Sequence, residues 1–230
     1  MCMVGTVLQS RQKGYPPRTP ADRMKRTEVR EAWDSVSETY ARSRDPTGSD
    51  ADLLDDLLTR LADAGVDDPR VLDVGCGDGA RTLANLPPGS VGLDFSRAGL
   101  RLARETVPDA RLLQADMLDV PLSDDSVDAV TAYHAVFHVS REDHPAVYRE
   151  FARVLRPGGV LLMTLPGGRF ETVRRGWMGG RMFFSAPGRQ ATLDQLAEAG
   201  FADLQTETVS DPLGSSAEFV FATRADTGSR

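Results

Sequence analysis

Between residues 70 and 165, short apolar runs alternate with longer stretches of helical pattern, and this alternation narrows the possible folds more than any other feature. The runs are Arg70–Val74, Ser90–Asp94, Arg111–Ala115, Val127–Ala132 and Gly159–Leu165. Arg81–Leu86, Ser96–Thr106 and Arg141–Leu155 read as the helices between them. Strands joined through helices pair in parallel and are covered on both faces, so the expected class is α/β with a doubly wound, mostly parallel sheet. A helix over Thr192–Ala199, ended by Gly200, precedes two more strand-like segments, Leu204–Val209 and Glu218–Thr223. The turn residues Asp211-Pro212-Leu213-Gly214 between them suit a C-terminal antiparallel hairpin, which brings the sheet to seven strands.

Two helices are expected ahead of this core. From Thr27 to Ala41, Val29, Trp33, Val36 and Tyr40 fall at spacings of four, three and four, which marks one helical face. The second helix starts near Ser49, an N-cap with Asp50 and Asp52 behind it, and runs through Leu53, Leu54, Leu57, Leu58 and Leu61 to Ala64-Gly65. Residues 1–24 hold Gly14, Pro16, Pro17 and Pro20 without an apolar period, so they read as a disordered extension, and Met24 is a second candidate start. A single domain over 25–224 is then expected, with helices at 25–65, a core at 70–165, a loop-like lid on the substrate side at 166–190 and a tail at 225–230.

Composition excludes several classes. The longest apolar run, Val160 to Leu165, is bracketed by Gly158-Gly159 and Pro166-Gly167-Gly168, so it is a buried strand and not a membrane span. Arg11 and Lys13 follow the apolar first residues, the wrong order for a secretory signal, which makes a cytoplasmic protein the expectation. Cys2 and Cys76 are the only cysteines, too few for a disulfide framework or a cysteine-rich zinc site. Net charge is −7; residues 1–26 hold six bases against Asp22, a surplus of five, so the remainder stands at −12. So acidic a body argues against nonspecific attachment to nucleic acid or anionic lipid.

The first core strand runs straight into Gly75-Cys76-Gly77-Asp78-Gly79. In an open parallel sheet this turn lies at the carboxyl end of the strand, where ligands bind, and glycines let the backbone approach them. The pattern alone is ambiguous, because Gly75-x-Gly77-x-x-Ala80 also satisfies a dinucleotide fingerprint. The carboxylates favour one cofactor. Asp73, Asp78, Asp94 and Asp116 lie in the loop or at strand ends, where a pyrophosphate meets like charge and a ligand bearing ammonium and sulfonium meets opposite charge. S-adenosylmethionine fits that field. Asp94, about twenty residues past the first glycine, is placed to take ribose hydroxyls, as in nicotinamide enzymes too.

With its flanks, the chain resembles the type 11 family of class I S-adenosylmethionine-dependent methyltransferases. The matching pieces are Val71–Gly79, Gly92-Leu93-Asp94-Phe95-Ser96, Gln114-Ala115-Asp116-Met117 with Pro121, Asp128-Ala129-Val130, and Arg153-Val154-Leu155-Arg156-Pro157-Gly158-Gly159. The resemblance implies a Rossmann-like fold and a set of cofactor contacts. Asp73 and the loop Gly75, Cys76 and Gly77 would hold the methionine moiety. Asp94, followed by Phe95, would take the ribose. Asp116 would bond the adenine amino group beside Met117, and Tyr40 would cover the cofactor from the N-terminal helix.

A sulfonium is an activated leaving group, so positioning drives in-line methyl transfer, and a base is needed only where the acceptor must lose a proton. His134 and Tyr133, nearest the fourth strand's end, and His138 are the candidates for that role. His134 and His138 are four apart but lack a third ligand, so no metal is expected. In the expected lid, Arg174, Arg175, Trp177 and Arg181 interleave bases with aromatics and are candidate contacts to an anionic or aromatic small molecule. The same interleaving suits RNA, so an RNA (tRNA) methyltransferase is the alternative, and a catalytically silent cofactor-binding module is a third reading.

Overall fold

The computed structural model describes residues 24–43, 51–210 and 216–226. The expected N-cap at Ser49, the extension over 1–23 and the turn at Asp211–Gly214 lie outside the described residues. Strands β1 (Val71–Val74), β2 (Val91–Asp94), β3 (Arg111–Gln114), β4 (Val127–Ala132) and β5 (Leu155–Leu165) pair in parallel in the order β3-β2-β1-β4-β5. Two C-terminal strands, β8 (Phe201–Ser210) and β9 (Ser216–Arg224), pair antiparallel, and β9 adds antiparallel to β5. The seven-stranded Rossmann-like sheet and its C-terminal hairpin are both present.

Side chains alternate across a strand, so each central strand serves two cores. Leu72, Val74, Val130, Leu161 and Met163 meet Val147, Tyr148, Phe151 and Val154 of helix α4 (His144–Val154) and Leu196 of α5 (Arg189–Glu198). On the other face Val71, Ala129 and Leu162 meet Leu53, Leu54, Leu57 and Leu61 of α2 (Ala51–Asp63). Those leucines recur along one stripe, and burying each contributes roughly 1.5–3 kcal/mol, which is enough to dock α2 on the sheet. Helix α1 (Arg26–Ser43) is held differently. Of its 18 residues, Val29, Val36 and Ser37 are buried. It packs on α3 (Arg97–Thr106) and reaches the loops that follow the parallel strands.

Two expectations are corrected. The segment Arg81–Leu86 forms only a 3-10 turn, Leu83–Asn85, because Pro87-Pro88-Gly89 follows at once and leaves no run of N–H donors to extend a helix. The lid is not a loop: β6 (Arg169–Trp177) and β7 (Gly180–Pro187) form an antiparallel two-stranded sheet. Its arginines hide the strand pattern in the sequence. Packing decides it, since Met182, Phe183 and Phe184 are buried in a cluster with Val29 and Val36 of α1. Among the described residues no helix is long and apolar enough to cross a membrane.

Candidate cofactor and acceptor site

After β1 the chain turns through the glycine loop. Gly75 has φ +72°, and a Cβ there would stand 2.5 Å from the Cβ of Ala135, so both conformation and space demand glycine. Gly77 has φ +55° and faces open space, with nothing within 4 Å of a would-be Cβ. The N–H groups of Gly75 and Cys76 donate to the Leu93 carbonyl at 2.7 and 3.1 Å, which fastens the loop to the end of β2. That of Gly77 donates to the Asp94 carboxylate at 2.9 Å, and the Ser96 N–H donates to its other oxygen at 2.8 Å.

Over these strand ends lies a cavity of about 700 Å³. Its floor comes from each parallel turn in order: Gly75, Gly77 and Asp78 after β1; Asp94, Phe95 and Ser96 from β2; Ala115 and Met117 after β3; Tyr133, His134, Ala135 and His138 after β4. Arg26, Trp33, Ser37 and Tyr40 of α1 roof it. The position is the switch point, where the chain leaves β1 toward β2 on one side and β4 on the other.

Electrostatics separate the four carboxylates. Asp94 is 8% exposed, and burial lifts its carboxyl from 3.8 to about 6, against the lowering by its backbone donors. Asp78 lines the cavity and its carboxylate accepts from the Ala80 N–H at 3.3 Å. Asp73 does not line it. Its carboxylate is buried and accepts from the hydroxyls of Thr82 and Thr131, the latter at 2.8 Å, which braces the turn from beneath. Asp116 lies beside the cavity, next to Arg26, Phe95 and Ala115, and both its oxygens accept from Arg26, at 2.7 and 2.8 Å. Cys76, buried and off the cavity, contributes its backbone to the turn, and burial pushes its thiol well up, so it stays neutral.

His134 and Tyr133 line the acceptor end. His134 sits at φ +52°, with its N–H donated to the Thr164 hydroxyl at 2.8 Å and its ring between Phe137 and Phe219. Such a conformation is uncommon outside glycine and is held by its surroundings. His138 is placed otherwise. Its Nδ1 donates to the Phe183 carbonyl at 2.8 Å, which fixes β7 against the β4 turn, and burial drops its pKa from 6.5 to about 3. His138 thus borders the cavity from an anchored position between β7 and the β4 turn. His144, buried and bonded to the Val139 carbonyl and to Tyr148, is lowered to about 4.

The lid candidates do not line the cavity. Arg174, Arg175 and Arg181 are exposed on the hairpin, with Arg174 over the Phe184 ring at 4.8 Å. Trp177 acts from behind, its ring 5.4 Å from Trp33 and 5.6 Å from Tyr40, both of which do line it. No group of three or more metal-ligating side chains occurs among the described residues.

The family described as "Methyltransferase domain" matches residues 72–163. Those residues carry the glycine loop, the acid ending β2 and the strand that closes the parallel set. Over that segment the chain is similar to this family.

Relatives agree with that likeness. A probable S-adenosylmethionine-dependent methyltransferase of Mycolicibacterium smegmatis is 35% identical over 98 residues, 42% of this chain and 37% of that protein. Trans-aconitate 2-methyltransferase of Variovorax paradoxus is 38% identical over 110 residues, 46% of this chain and 42% of its own. The matched segment thus spans about two-fifths of these relatives' length. Among solved structures, 1,6-didemethyltoxoflavin-N1-methyltransferase of Burkholderia thailandensis, with 1,6-didemethyltoxoflavin and S-adenosylhomocysteine bound, superposes at TM-score 0.65 and 17% identity, covering 93% of both chains. At that identity it shows the shared fold.

Sequence reasoning missed Arg26, Trp33 and Ser37 as cavity residues. A signal existed: Arg26, Trp33, Ser37 and Tyr40 are spaced seven, four and three apart, one helical face. It was hidden because Trp33 and Tyr40 also satisfy the apolar stripe that packs a helix.

Proposed function

We propose that this chain is an enzyme that transfers a methyl group from S-adenosylmethionine to a small-molecule acceptor. The observation that carries the reading is one cavity running from the Gly75–Gly77 cradle and Asp94 to the aromatic end at Tyr133 and His134. The cofactor fits the residues present: Gly77 leaves open space where any Cβ would intrude, and Asp78 and Asp94 give the cationic end its counter-charge. Asp94 would accept the ribose hydroxyls, Phe95 and Met117 flank the adenine, and Tyr40 and Trp33 exclude water from above. Bound there, S-adenosylmethionine supplies a methyl group already activated for in-line displacement. His134 is the base where the acceptor must shed a proton, with Tyr133 beside it.

The lining favours an uncharged aromatic or apolar reacting group over an anion, because Arg174, Arg175 and Arg181 stand outside the cavity. Calorimetry with S-adenosylmethionine, S-adenosylhomocysteine and NAD is the direct test, and folded protein that binds neither sulfur ligand would sink the reading. Incorporation of labelled methyl groups into fractions of cell extract then separates a small-molecule enzyme from one acting on RNA, and from a silent module, which would label nothing.

A further inference from the structure

Helix α1 roofs the cavity: Val29 and Val36 pack on β7, and its polar hold on the strand-end loops is concentrated at its first residue. Arg26 donates from Nε and Nη2 to the two oxygens of Asp116 at 2.8 and 2.7 Å, and from Nη1 to the His138 carbonyl at 2.9 Å. The guanidinium carbon lies 4.5 Å from the centre of the Phe95 ring. These partners follow β3, β4 and β2, so one guanidinium spans three strand-end loops across the mouth of the cavity. Further along α1 the polar ties are to α3 and its cap: Asp34 accepts from the Ser96 hydroxyl and the Ala98 N–H, the Ser37 hydroxyl lies 3.4 Å from that of Ser96, and Glu38 accepts from Arg101 at 3.2 Å.

We propose that Arg26 is the latch of the cofactor site: its fork onto Asp116 closes α1 over the bound nucleoside, and exchange of spent for fresh cofactor requires the fork to open. This rests on the reading that the cavity holds S-adenosylmethionine. The pair suits the task because it is half-exposed, with side chains 24% and 32% accessible. An ion pair of that exposure slows opening by about fivefold to tenfold and still releases within a catalytic cycle. Asp116 acts through Arg26, as a positioning residue.

Trp33 lines the cavity and is one of two tryptophans in the chain, so stopped-flow fluorescence with S-adenosylhomocysteine reads the exchange. Arg26→Ala is expected to raise the association and dissociation rate constants together, each by about fivefold to tenfold, with Kd moving by less than about threefold. Asp116→Asn should do the same, and the double variant no more than either alone. Arg26→Lys, which cannot form the two-pronged bond, should fall between. Added sodium chloride should speed dissociation from the wild type but not from Arg26→Ala. A dissociation rate unchanged in Arg26→Ala, or in Arg26→Lys and under salt should Arg26→Ala not fold, overturns the latch. So does an Asp116→Asn variant whose Kd rises with association unaltered, which would make Asp116 a direct nucleoside contact. Wild-type protein that binds no S-adenosylhomocysteine overturns the site assignment, and the latch with it.

Discussion

Under the proposed function cofactor affinity turns on Asp94, and the environment of that carboxyl sets a pH window. Ribose hydroxyls donate to the ionised carboxylate, whereas burial raises its pKa to about 6 in the unliganded protein. Affinity for S-adenosylhomocysteine should therefore be flat above pH 6 and fall as the pH drops through 6. Calorimetry across that range checks it; an Asp94→Asn variant should bind more weakly and lose the dependence. Removing the group in Asp94→Ala forfeits charge-assisted bonds of roughly 1.5–3 kcal/mol each. Gly75 is as exacting for steric reasons. In Gly75→Ala the new Cβ meets Ala135 at 2.5 Å in a left-handed conformation, so we expect a loss of roughly 1–3 kcal/mol in stability by urea denaturation, with weakened cofactor binding. Both residues were legible in the sequence because the backbone turn and the acid at a strand end are local features. The true partners of Asp73 and Asp116 were not: Thr131 lies 58 positions from Asp73 and Arg26 lies 90 from Asp116.

The elements divide by what stabilises them. Strands β1 to β5 and helix α2 were readable because their apolar periods match the faces they bury. The β6–β7 hairpin was not, since its exposed strand is rich in arginine and its packing partners, Val29 and Val36, belong to a helix far away in sequence. Two buried bonds tie β7 to the turn after β4: His138 Nδ1 to the Phe183 carbonyl, and the Ser185 hydroxyl to the Val139 carbonyl. His138→Ala should leave a buried carbonyl without its donor and open space beside Trp33 and Phe184, which stand 5.0 and 4.9 Å from the imidazole. The expected cost is about 2–4 kcal/mol, seen as earlier denaturant unfolding and faster amide exchange in β7. If instead the variant keeps its stability but loses methyl transfer, the imidazole is catalytic and the anchor assignment is wrong.

For the whole molecule, buried titrating groups set the response to acid. His138 and His144 are held neutral by burial, at about 3 and about 4 against an ordinary 6.5, so the stability they lend is present above 6.5 and lost as the pH falls toward those values. Asp94 works the other way, since its raised carboxyl penalises the fold above about 6 and relieves it as the pH falls toward 3.8. Two histidines oppose one aspartate, and between 6.5 and 6 the histidines act almost alone, so the melting temperature should drop on acidification from about 7 to about 5. A rising or flat melting curve would contradict these burials. By itself the sequence determined the strand order's parallel core, the glycine turn, the acid at the end of β2 and hence the cofactor, because each depends on residues close together or on a period of two or 3.6. Tertiary structure alone decided which carboxylates and histidines border the cavity, which are braced by distant partners, and that Arg26 of α1 reaches three strand-end loops. Those outcomes depend on burial and on partners brought together from distant parts of the chain, which no local pattern encodes.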